Sequence, residues 1–361
     1  MNLRKAGEWV QALVIGAAGM TGIFLFHQWR EASHGSKGYE IQRRADPSGR
    51  KVLRLGYFPA VTHAQAVLGV SQGTFQKALG SEVAIEPNLF SAGPEAVEAI
   101  FAGSLDLVYV GANPAINAHV RSKGGAVRII AGSASGGAAL VVRGDANITS
   151  PSDLRGKRIA TPQLGNTQDV AARSWLLGKG LVPGKDVDVV PLKNPDQLAL
   201  MQRKDLDAVW TVEPWVSRLV REAGGRVFLD ERELWPGGAF ATTVLLVNTR
   251  FLNEHPDLIR RWLKAHVELT QWVTSRPDEA RRIVNTELGR ITGKALPDEV
   301  IADAFARIQF TWDPMAATIA ESARRAFEQD FLGKVKPDLS GITDLRLLNE
   351  VLRDAGLAPL Q

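Results

Sequence analysis

Alternation between short apolar runs and helix-like segments is the feature that most constrains how this chain folds. From Val52 onward, runs rich in β-branched residues are separated by segments whose apolar residues recur at helical spacing. This order is typical of a parallel sheet with helices on its faces. The first series of predicted strands is VLRLGYF, VAIEPNLF, DLVYVG and VRIIAG. The second series is AALVVR, RIAT, VDVVPL, DAVWTV and RVFLD, and after a further strand, TTVLLV, the chain is predicted to be nearly all helical.

Two glycine pairs divide the alternation. Gly136-Gly137 ends the first series and Gly237-Gly238 ends the second. One interpretation is that the chain leaves a first lobe at one pair and returns at the other, which makes a two-crossover hinge with a ligand between the strand ends of both lobes. Lobe I is then residues 52–136 plus 239–361, and lobe II is residues 137–238. The alternative is that each pair is an ordinary surface turn.

The N-terminal region has the pattern of a signal sequence or a membrane anchor. Arg4 and Lys5 precede 17 uncharged residues, Val10 to Phe26, which is barely enough to cross the hydrocarbon core. Because no small-residue cleavage site follows and Trp29 suits a membrane interface, an uncleaved anchor is favoured over a cleaved signal. We therefore expect residues 1–27 to be the signal or anchor, residues 28–51 to be a linker, and the body to lie in the periplasm, tethered to the inner membrane.

Composition excludes several classes of function. The first 51 residues hold eight of the 43 Lys/Arg and four of the 39 Asp/Glu, so the net charge of +4 belongs to the N-terminus and the remainder is neutral. A nucleic-acid partner is therefore not expected. The absence of cysteine excludes disulfides, thiol catalysis and cysteine-ligated zinc, and the six histidines never fall in HxH or HxxxH spacing. We predict no metal and no cofactor.

The stretch from Arg158 to Leu177 combines a short strand, a glycine loop and a helix that Asn166 or Thr167 caps. Unpaired backbone N–H groups at such a helix start favour an anion beyond the end of the strand. The loop lacks the lysine of a P-loop and is not GxGxxG, so a nucleotide site is not expected. The alternative is that Asn166 or Thr167 is only a cap. Asp169, in the first turn, must point away from any bound anion.

Four segments in this order carry a resemblance to a known family: LRLGYFP, FSAGPEAVEAIFAGSLDLVYVGANPAI, DLRGKRIATPQLGNTQDVAARSWL and DAVWTVEPW. From Val52 to Val273 the chain resembles the periplasmic substrate-binding proteins of ABC importers for aliphatic sulfonates, taurine and nitrate. The resemblance implies an α/β, two-lobed periplasmic-binding-protein (Venus flytrap) fold without catalysis. It also implies a small oxyanion-bearing solute as ligand and ABC permease and ATPase subunits as partners.

The resemblance places three helix starts at the ligand. Gly165-Asn166-Thr167 matches the Gly-Ser-Ser-like start of the sulfonate binders, although Asn166 replaces a hydroxyl residue there. Ser91 to Pro94 and Asn113-Pro114 match two further helix starts in lobe I. With residues at neighbouring strand ends, the candidate ligand-binding residues are Tyr57, Phe58, Ser91, Gly93, Asn113, Gln163, Gly165, Asn166, Thr167, Gln168, Glu213, Trp215 and Thr242.

Some of these residues admit two interpretations. Tyr57, Phe58, Trp210 and Trp215 lie at strand ends and either form an apolar wall for an alkyl group or fill the core. Glu213 either meets a cation, such as a Lys/Arg or the ammonium of taurine, or is a negative charge at the start of a helix.

The predicted function is capture of a sulfonate or taurine and its delivery to a permease. A membrane-tethered sensor for the same solute is an alternative. The thiamine pyrimidine synthase, an enzyme with this fold, is a weaker one, since it relies on a cysteine-rich motif that is missing here.

Overall fold

The computed structural model describes residues 49–361. The predicted anchor, Val10 to Phe26, and nearly all of the predicted linker lie outside the described residues. Among residues 49–361, none of the helices combines the length and the apolar character that crossing a membrane requires.

Eleven strands form two sheets in the described part of the chain. The strands are β1 (Lys51–Tyr57), β2 (Val83–Leu89), β3 (Leu107–Val110), β4 (Val127–Gly136), β5 (Ala138–Arg143), β6 (Arg158–Thr161), β7 (Asp188–Pro191), β8 (Ala208–Val212), β9 (Gly225–Asp230), β10 (Ala241–Asn248) and β11 (Ile308–Phe310). The first sheet has the order β11-β4-β10-β3-β1-β2, and the second has the order β7-β6-β8-β5-β9.

Thirteen α-helices accompany these strands in residues 49–361. They are α1 (Ala64–Ser71), α2 (Thr74–Leu79), α3 (Gly93–Phe101), α4 (Ala112–Arg121), α5 (Thr167–Gly178), α6 (Asn194–Gln202), α7 (Trp215–Ala223), α8 (Thr249–Glu254), α9 (Pro256–Ser275), α10 (Pro277–Thr292), α11 (Asp298–Ala306), α12 (Ala316–Glu328) and α13 (Arg346–Asp354). Short 3₁₀ segments include Val61–His63, Pro151–Leu154 and Pro236–Gly238.

Each sheet is covered by helices on both faces. On one face of the first sheet the buried cluster includes side chains of α1, α2, α9 and α10, with Phe75 stacked on Trp262 at 3.7 Å between ring centroids. On the other face the cluster takes in α3, α4 and α12. The second sheet packs against α5 on one face and against α6 and α7 on the other. The predicted fold class, α/β with sheets flanked by helices, is confirmed.

The expectation of a parallel sheet is met only in part, because both sheets contain parallel and antiparallel pairs. Strands joined through helices are parallel, as β1 is to β2 and β3, and β6 is to β7 and β8. By contrast, β10 runs antiparallel to β3 and β4, and β5 runs antiparallel to β8 and β9. The reason is that β5 and β10 are entered directly from the other sheet, so no helical crossover constrains their direction.

The chain passes between the two sheets twice. Gly137 alone separates β4 from β5, and Gly136 and Gly137 have φ values of 75° and 73°, which favour glycine. The return runs from β9 through the 3₁₀ segments to β10, and it includes Gly237 and Gly238.

Several elements differ from the sequence-based prediction. The apolar spacing from His63 to Leu79 predicts a single helix, but this segment is divided into α1 and α2 at Gly73, whose φ is 69°. In the C-terminal part, where the sequence predicts a helix from Pro297 to Ile308, the helix ends at Ala306 and β11 follows it. The sequence analysis did not predict α8 or α13, which are short and lack a long apolar period.

Candidate functional site

A cavity of about 290 Å³ lies where the strand ends of the two sheets face each other. From the first sheet it is lined by residues that follow β1, β2 and β3 and by the start of β10. From the second sheet it is lined by residues that follow β6, β7 and β8. A larger, open groove of about 790 Å³ beside Trp235 lies away from these strand ends and is lined in part by Asp313 and Glu321. The first cavity is therefore the candidate site, because ligands of α/β sheets bind beyond strand carboxyl ends.

Helix N-termini from both sheets meet at this cavity. The residues that precede α3, α4, α5 and α6, namely Ala92, Gly111, Asn166 and Lys193, all line it. Trp215, the first residue of α7, lines it as well. The N-terminal end of a helix presents unpaired N–H groups and a partial positive charge, so the cavity favours a negatively charged ligand.

Among the described residues of the lining, Lys193 is the one that carries a charge. Lys193 is exposed, and the lining of this cavity in residues 49–361 includes neither Asp nor Glu. His63 is buried, and desolvation lowers the pKa of its imidazole to about 3, so that the ring is neutral at physiological pH. Lys193 thus supplies a full positive charge that no lining carboxylate opposes.

Asp169 points away from the cavity, as an anion site requires. Its Oδ1 accepts hydrogen bonds from the Thr161 hydroxyl at 2.7 Å and from Arg173 Nε at 2.9 Å, and its Oδ2 accepts from the Gly165 N–H at 2.9 Å. The side chain is fully buried. Asp169 therefore fixes the glycine loop onto the start of α5, and its negative charge is compensated by Arg173.

Glu213 is also turned away. It is fully buried, its Oε1 accepts from the Ser217 hydroxyl at 2.9 Å, and its Oε2 accepts from the Ser217 N–H at 3.1 Å. Arg307 Nε lies 3.4 Å from Oε1. Burial raises the pKa of this carboxyl to about 7, while the bonds from Ser217 and the charge of Arg307 oppose the rise. The sequence allowed two interpretations of Glu213, a pairing with a cation and a negative charge at a helix start. Both describe its position, because Glu213 pairs with Arg307 and lies just before α7.

Gln168 is the lining residue whose hydrogen bonding is incomplete. It lies in the first turn of α5, its side chain is only 4% exposed, and it lines the cavity. Its Nε2 has no hydrogen-bond partner among the described residues. Because an unpaired buried donor costs free energy, this amide nitrogen is suited to a ligand that accepts hydrogen bonds.

Thr167 takes part in a contact between α5 and α4. Its Oγ1 accepts a hydrogen bond from the Asn113 N–H at 3.2 Å, which joins an element of the second sheet to one of the first. The approach is close, since a Cβ at Gly111 would lie 2.6 Å from that oxygen. Asn166 is the N-cap of α5, and its Oδ1 accepts from the Thr167 N–H at 2.8 Å.

Comparison with known proteins identifies the family. A model of the NMT1-like family matches residues 46–288, about two thirds of the chain. The chain belongs to the NMT1-like family.

Known proteins that are similar to this chain include binding proteins of the kind that the sequence indicated. The taurine-binding periplasmic protein of Escherichia coli (strain K12) is 29% identical over 216 residues, which are 59% of this chain and 64% of that protein. The periplasmic aliphatic sulphonate binding protein of Escherichia coli has a TM-score of 0.66 at 24% identity, covering 80% of this chain and 96% of that one. The desulfurization enzyme DSZB has a TM-score of 0.58 at 19% identity, covering 85% and 100%. Both structural likenesses show the fold alone.

The predicted site residues fall into two groups. Those that line the cavity are Phe58, Ser91, Gln163, Asn166, Gln168, Trp215 and Thr242. Those that lie behind or beside it are Tyr57, Gly93, Asn113, Gly165, Thr167 and Glu213. Tyr57 belongs to the core of the first sheet and Gly93 packs against Pro114. Trp210 is buried in the second sheet and donates from Nε1 to Glu231, so it fills core.

Sequence reasoning missed His63, Lys193 and Asn194 in this family member. His63 Nδ1 accepts the Phe58 N–H at 3.4 Å, and its ring stacks on Phe58 at 4.6 Å between centroids, which leaves Nε2–H as the free donor of the neutral ring. Lys193 and Asn194 begin α6 immediately after β7. Lys193 and Asn194 would have been found by treating the first residues after every predicted strand as candidate ligand-binding residues.

Proposed function

We propose that this chain is the extracytoplasmic solute-binding component of an ABC importer, and that it binds a small oxyanion-bearing solute in the cavity between its two sheets. Membership of the NMT1-like family and the similarity to taurine- and sulphonate-binding proteins support this proposal. Since the aligned region spans 64% of the taurine-binding protein, the solute and the partners are inferred from the site.

The observation that carries the proposal is the unpartnered Nε2 of Gln168. An amide nitrogen only donates hydrogen bonds, and Gln168 lines a cavity that has helix N-termini, Lys193 and no carboxylate among its described lining residues. The oxygens of a sulfonate or of another oxyanion only accept hydrogen bonds. The donor and the ligand are therefore complementary in charge and in hydrogen bonding.

The two-lobe division follows from the same site. We assign residues 52–136 plus 239–361 to lobe I and residues 137–238 to lobe II, with Gly136-Gly137 and Gly237-Gly238 as the connections. A ligand that contacts both sets of helix N-termini would hold the lobes together, and the bond between Asn113 and Thr167 would add to that closed arrangement.

The partners in this proposal are a permease and an ATPase subunit that receive the loaded protein on the periplasmic side of the inner membrane. Tethering through the predicted anchor, Val10 to Phe26, would keep the protein at the permease. A membrane-tethered sensor for the same solute would use an identical cavity. Uptake of radiolabelled solute that stops when this gene is deleted, and returns on complementation, separates transport from sensing.

Binding without catalysis is the activity we infer, although the fold also occurs in an enzyme, DSZB. The chain has no cysteine to serve as a thiol nucleophile. His63 Nδ1 is occupied by a backbone N–H, and no described hydroxyl donates to this histidine, so His63 forms no hydroxyl–histidine nucleophile pair at the cavity.

The test is Gln168→Met, which keeps the side chain's length and removes its donor. We expect affinity for the bound oxyanion to fall about ten- to hundredfold, since a hydrogen bond to a charged group contributes about 1.5–3 kcal/mol. The melting temperature without ligand should stay the same or rise, because a buried unpaired amide is lost. Calorimetric titration with sulfonates, taurine, nitrate and sulfate measures affinity, and thermal unfolding measures stability.

Gln65→Met is the matched control. Gln65 is fully buried outside the cavity, and its Nε2 donates to the Ser133 carbonyl oxygen at 2.8 Å. The control should lower stability and leave affinity unchanged. The proposal fails if none of these anions binds the wild-type chain, or if Gln168→Met binds them as tightly as wild type does.

A further inference from the structure

This inference rests on the proposed function and concerns the organic group that the bound oxyanion carries. We propose that the site selects sulfonates whose organic group is uncharged, and that it rejects the ammonium group of an aminosulfonate such as taurine. This specificity differs from that of the taurine-binding relative.

The first step in the argument is the charge inventory near the cavity. A ligand with an ammonium needs a carboxylate to compensate for its desolvation, as a buried unpaired charge is very unfavourable. The described lining has Lys193 as a cation and no Asp or Glu. Lys193 attracts the sulfonate and repels an ammonium on the same small ligand.

Three carboxylates adjoin the lining in sequence. Asp196, next to Pro195, is exposed and does not line the cavity, so its attraction for an ammonium is weak in water. The other two, Asp169 and Glu213, are already committed. Both oxygens of Asp169 accept bonds from the loop and from Arg173, and both oxygens of Glu213 accept bonds from Ser217. Each side chain is fully buried and neither lines the cavity. Turning either one toward a ligand would break these bonds and leave Arg173 or Arg307 without its buried partner.

One further carboxylate contacts the rim. Glu95 Oε2 accepts from the hydroxyl of Ser91 at 3.1 Å, but Glu95 is exposed and does not line the cavity. In water its attraction for an ammonium is weak. Glu95 therefore does not replace a carboxylate inside the site.

The rest of the lining suits an apolar group. Phe58, Phe90, Leu192, Val212 and Trp215 all line the cavity. A cavity of about 290 Å³ holds far more than a lone four- or five-atom oxyanion, since one water takes about 30 Å³ in the liquid. An alkyl or aryl group would displace the remaining water from these apolar walls.

The test compares two ligands that differ in one group. Binding of 2-hydroxyethanesulfonate and of 2-aminoethanesulfonate (taurine) to the full-length chain is measured by calorimetric titration, with propane-1-sulfonate as the apolar reference. We expect propane-1-sulfonate to bind tightest and taurine to bind about tenfold or more weakly than its hydroxyl analogue. Taurine binding that equals or exceeds the hydroxyl analogue's overturns the inference while the proposed function stands.

Asn194→Asp tests the mechanism. The change is isosteric and keeps the Oδ1 that accepts from the Thr211 hydroxyl, but it places a carboxylate in the lining. Taurine should gain relative to the hydroxyl analogue, and propane-1-sulfonate should lose affinity. Glu95→Gln should leave the ratio of the two affinities unchanged.

Three other outcomes would contradict the inference or the proposed function. A ratio that Glu95→Gln changes more than Asn194→Asp does means that the rim carboxylate sets specificity, and the inference fails. Binding of nitrate or sulfate without any sulfonate overturns the inference alone. Absence of binding by every anion overturns the proposed function and the inference with it. If Asn194→Asp does not fold, the two wild-type affinities still decide.

Discussion

At the residue scale, burial determines what each polar side chain of the site can do. Gln65 and Gln168 are both buried glutamines, yet Gln65 Nε2 bonds to the protein and Gln168 Nε2 has no described partner. Glu213 and Asp169 are buried too, and each is held by donors outside the cavity. At this site the amide donor of Gln168 is unpaired, whereas the carboxylates of Asp169 and Glu213 are hydrogen-bonded to the protein. This combination suits a negatively charged ligand.

Glu213 makes stability depend on pH. Its carboxyl has a pKa of about 7 in the folded protein, raised from 4.5 by burial, so the folded state binds more protons than the unfolded state between these pH values. Its contribution to stability is therefore lost as pH rises from about 4.5 to about 7, at about 1.4 kcal/mol per unit of pKa difference, and it is constant above that range.

We predict that Glu213→Gln removes this dependence. The amide oxygen can still accept from Ser217, while no proton is exchanged. The difference in melting temperature between Glu213→Gln and wild type should change in favour of the variant as pH rises from 4.5 to 7, and then level off. Thermal unfolding in matched buffers from pH 4.5 to 8 measures it. A difference that is flat across this range contradicts the prediction.

At the element scale, single glycines decide where helices end. Gly73, with a φ of 69°, follows α1 and precedes α2, and the turn lets the two helices pack separately on the first sheet. An apolar helical period continues through this region of the sequence, which is why one long helix was predicted. The apolar spacing does not reveal that the backbone at Gly73 is left-handed, and this conformation is what ends the helix.

We predict opposite effects from alanine at two glycines. Gly73→Ala should lower the free energy of unfolding by about 1 kcal/mol, because a side chain is strained at positive φ. Gly178→Ala is the control: Gly178 ends α5 in a helical conformation, and an added Cβ meets no atom within 4 Å. This change should raise the free energy by about 0.5–1 kcal/mol. Urea-unfolding midpoints measure both, and equal signs would refute the assignment.

At the scale of the whole molecule, the chain passes between the two sheets twice. Gly137 is the single residue between β4 and β5, so the sheets are joined there by a very short link. Across the cavity, Asn113 and Thr167 contact each other. Near the link, Arg307 lies within 4 Å of both Glu213 and Asp230 and joins residues beyond β10 to the second sheet.

We predict that ligand compacts the protein. A ligand that contacts the helix N-termini of both lobes should shift the population toward the closed arrangement, since it binds that arrangement better. Small-angle scattering of the full-length chain should show a smaller radius of gyration with a saturating sulfonate than without it. A radius that stays constant while calorimetry shows binding would count against hinge closure.

The sequence by itself determined most of the order of strands and helices, the glycine pairs at the passages and the helix starts that follow strands. These depend on local periodicity and on capping, which involve residues close along the chain. It also indicated the family that the comparison confirmed.

Only the tertiary structure decided which polar groups are paired. The partners of Asp169 are close along the chain, yet their hydrogen bonds to it could not be read from periodicity or capping. Glu213 faces Arg307 from 94 positions away, so this pairing depends on elements that only folding brings together. The reversed direction of β10 and the pairing of Thr167 with Asn113 have the same origin. Local patterns specify what a helix start can bind, whereas contacts between distant elements specify which of its donors remain free to bind it.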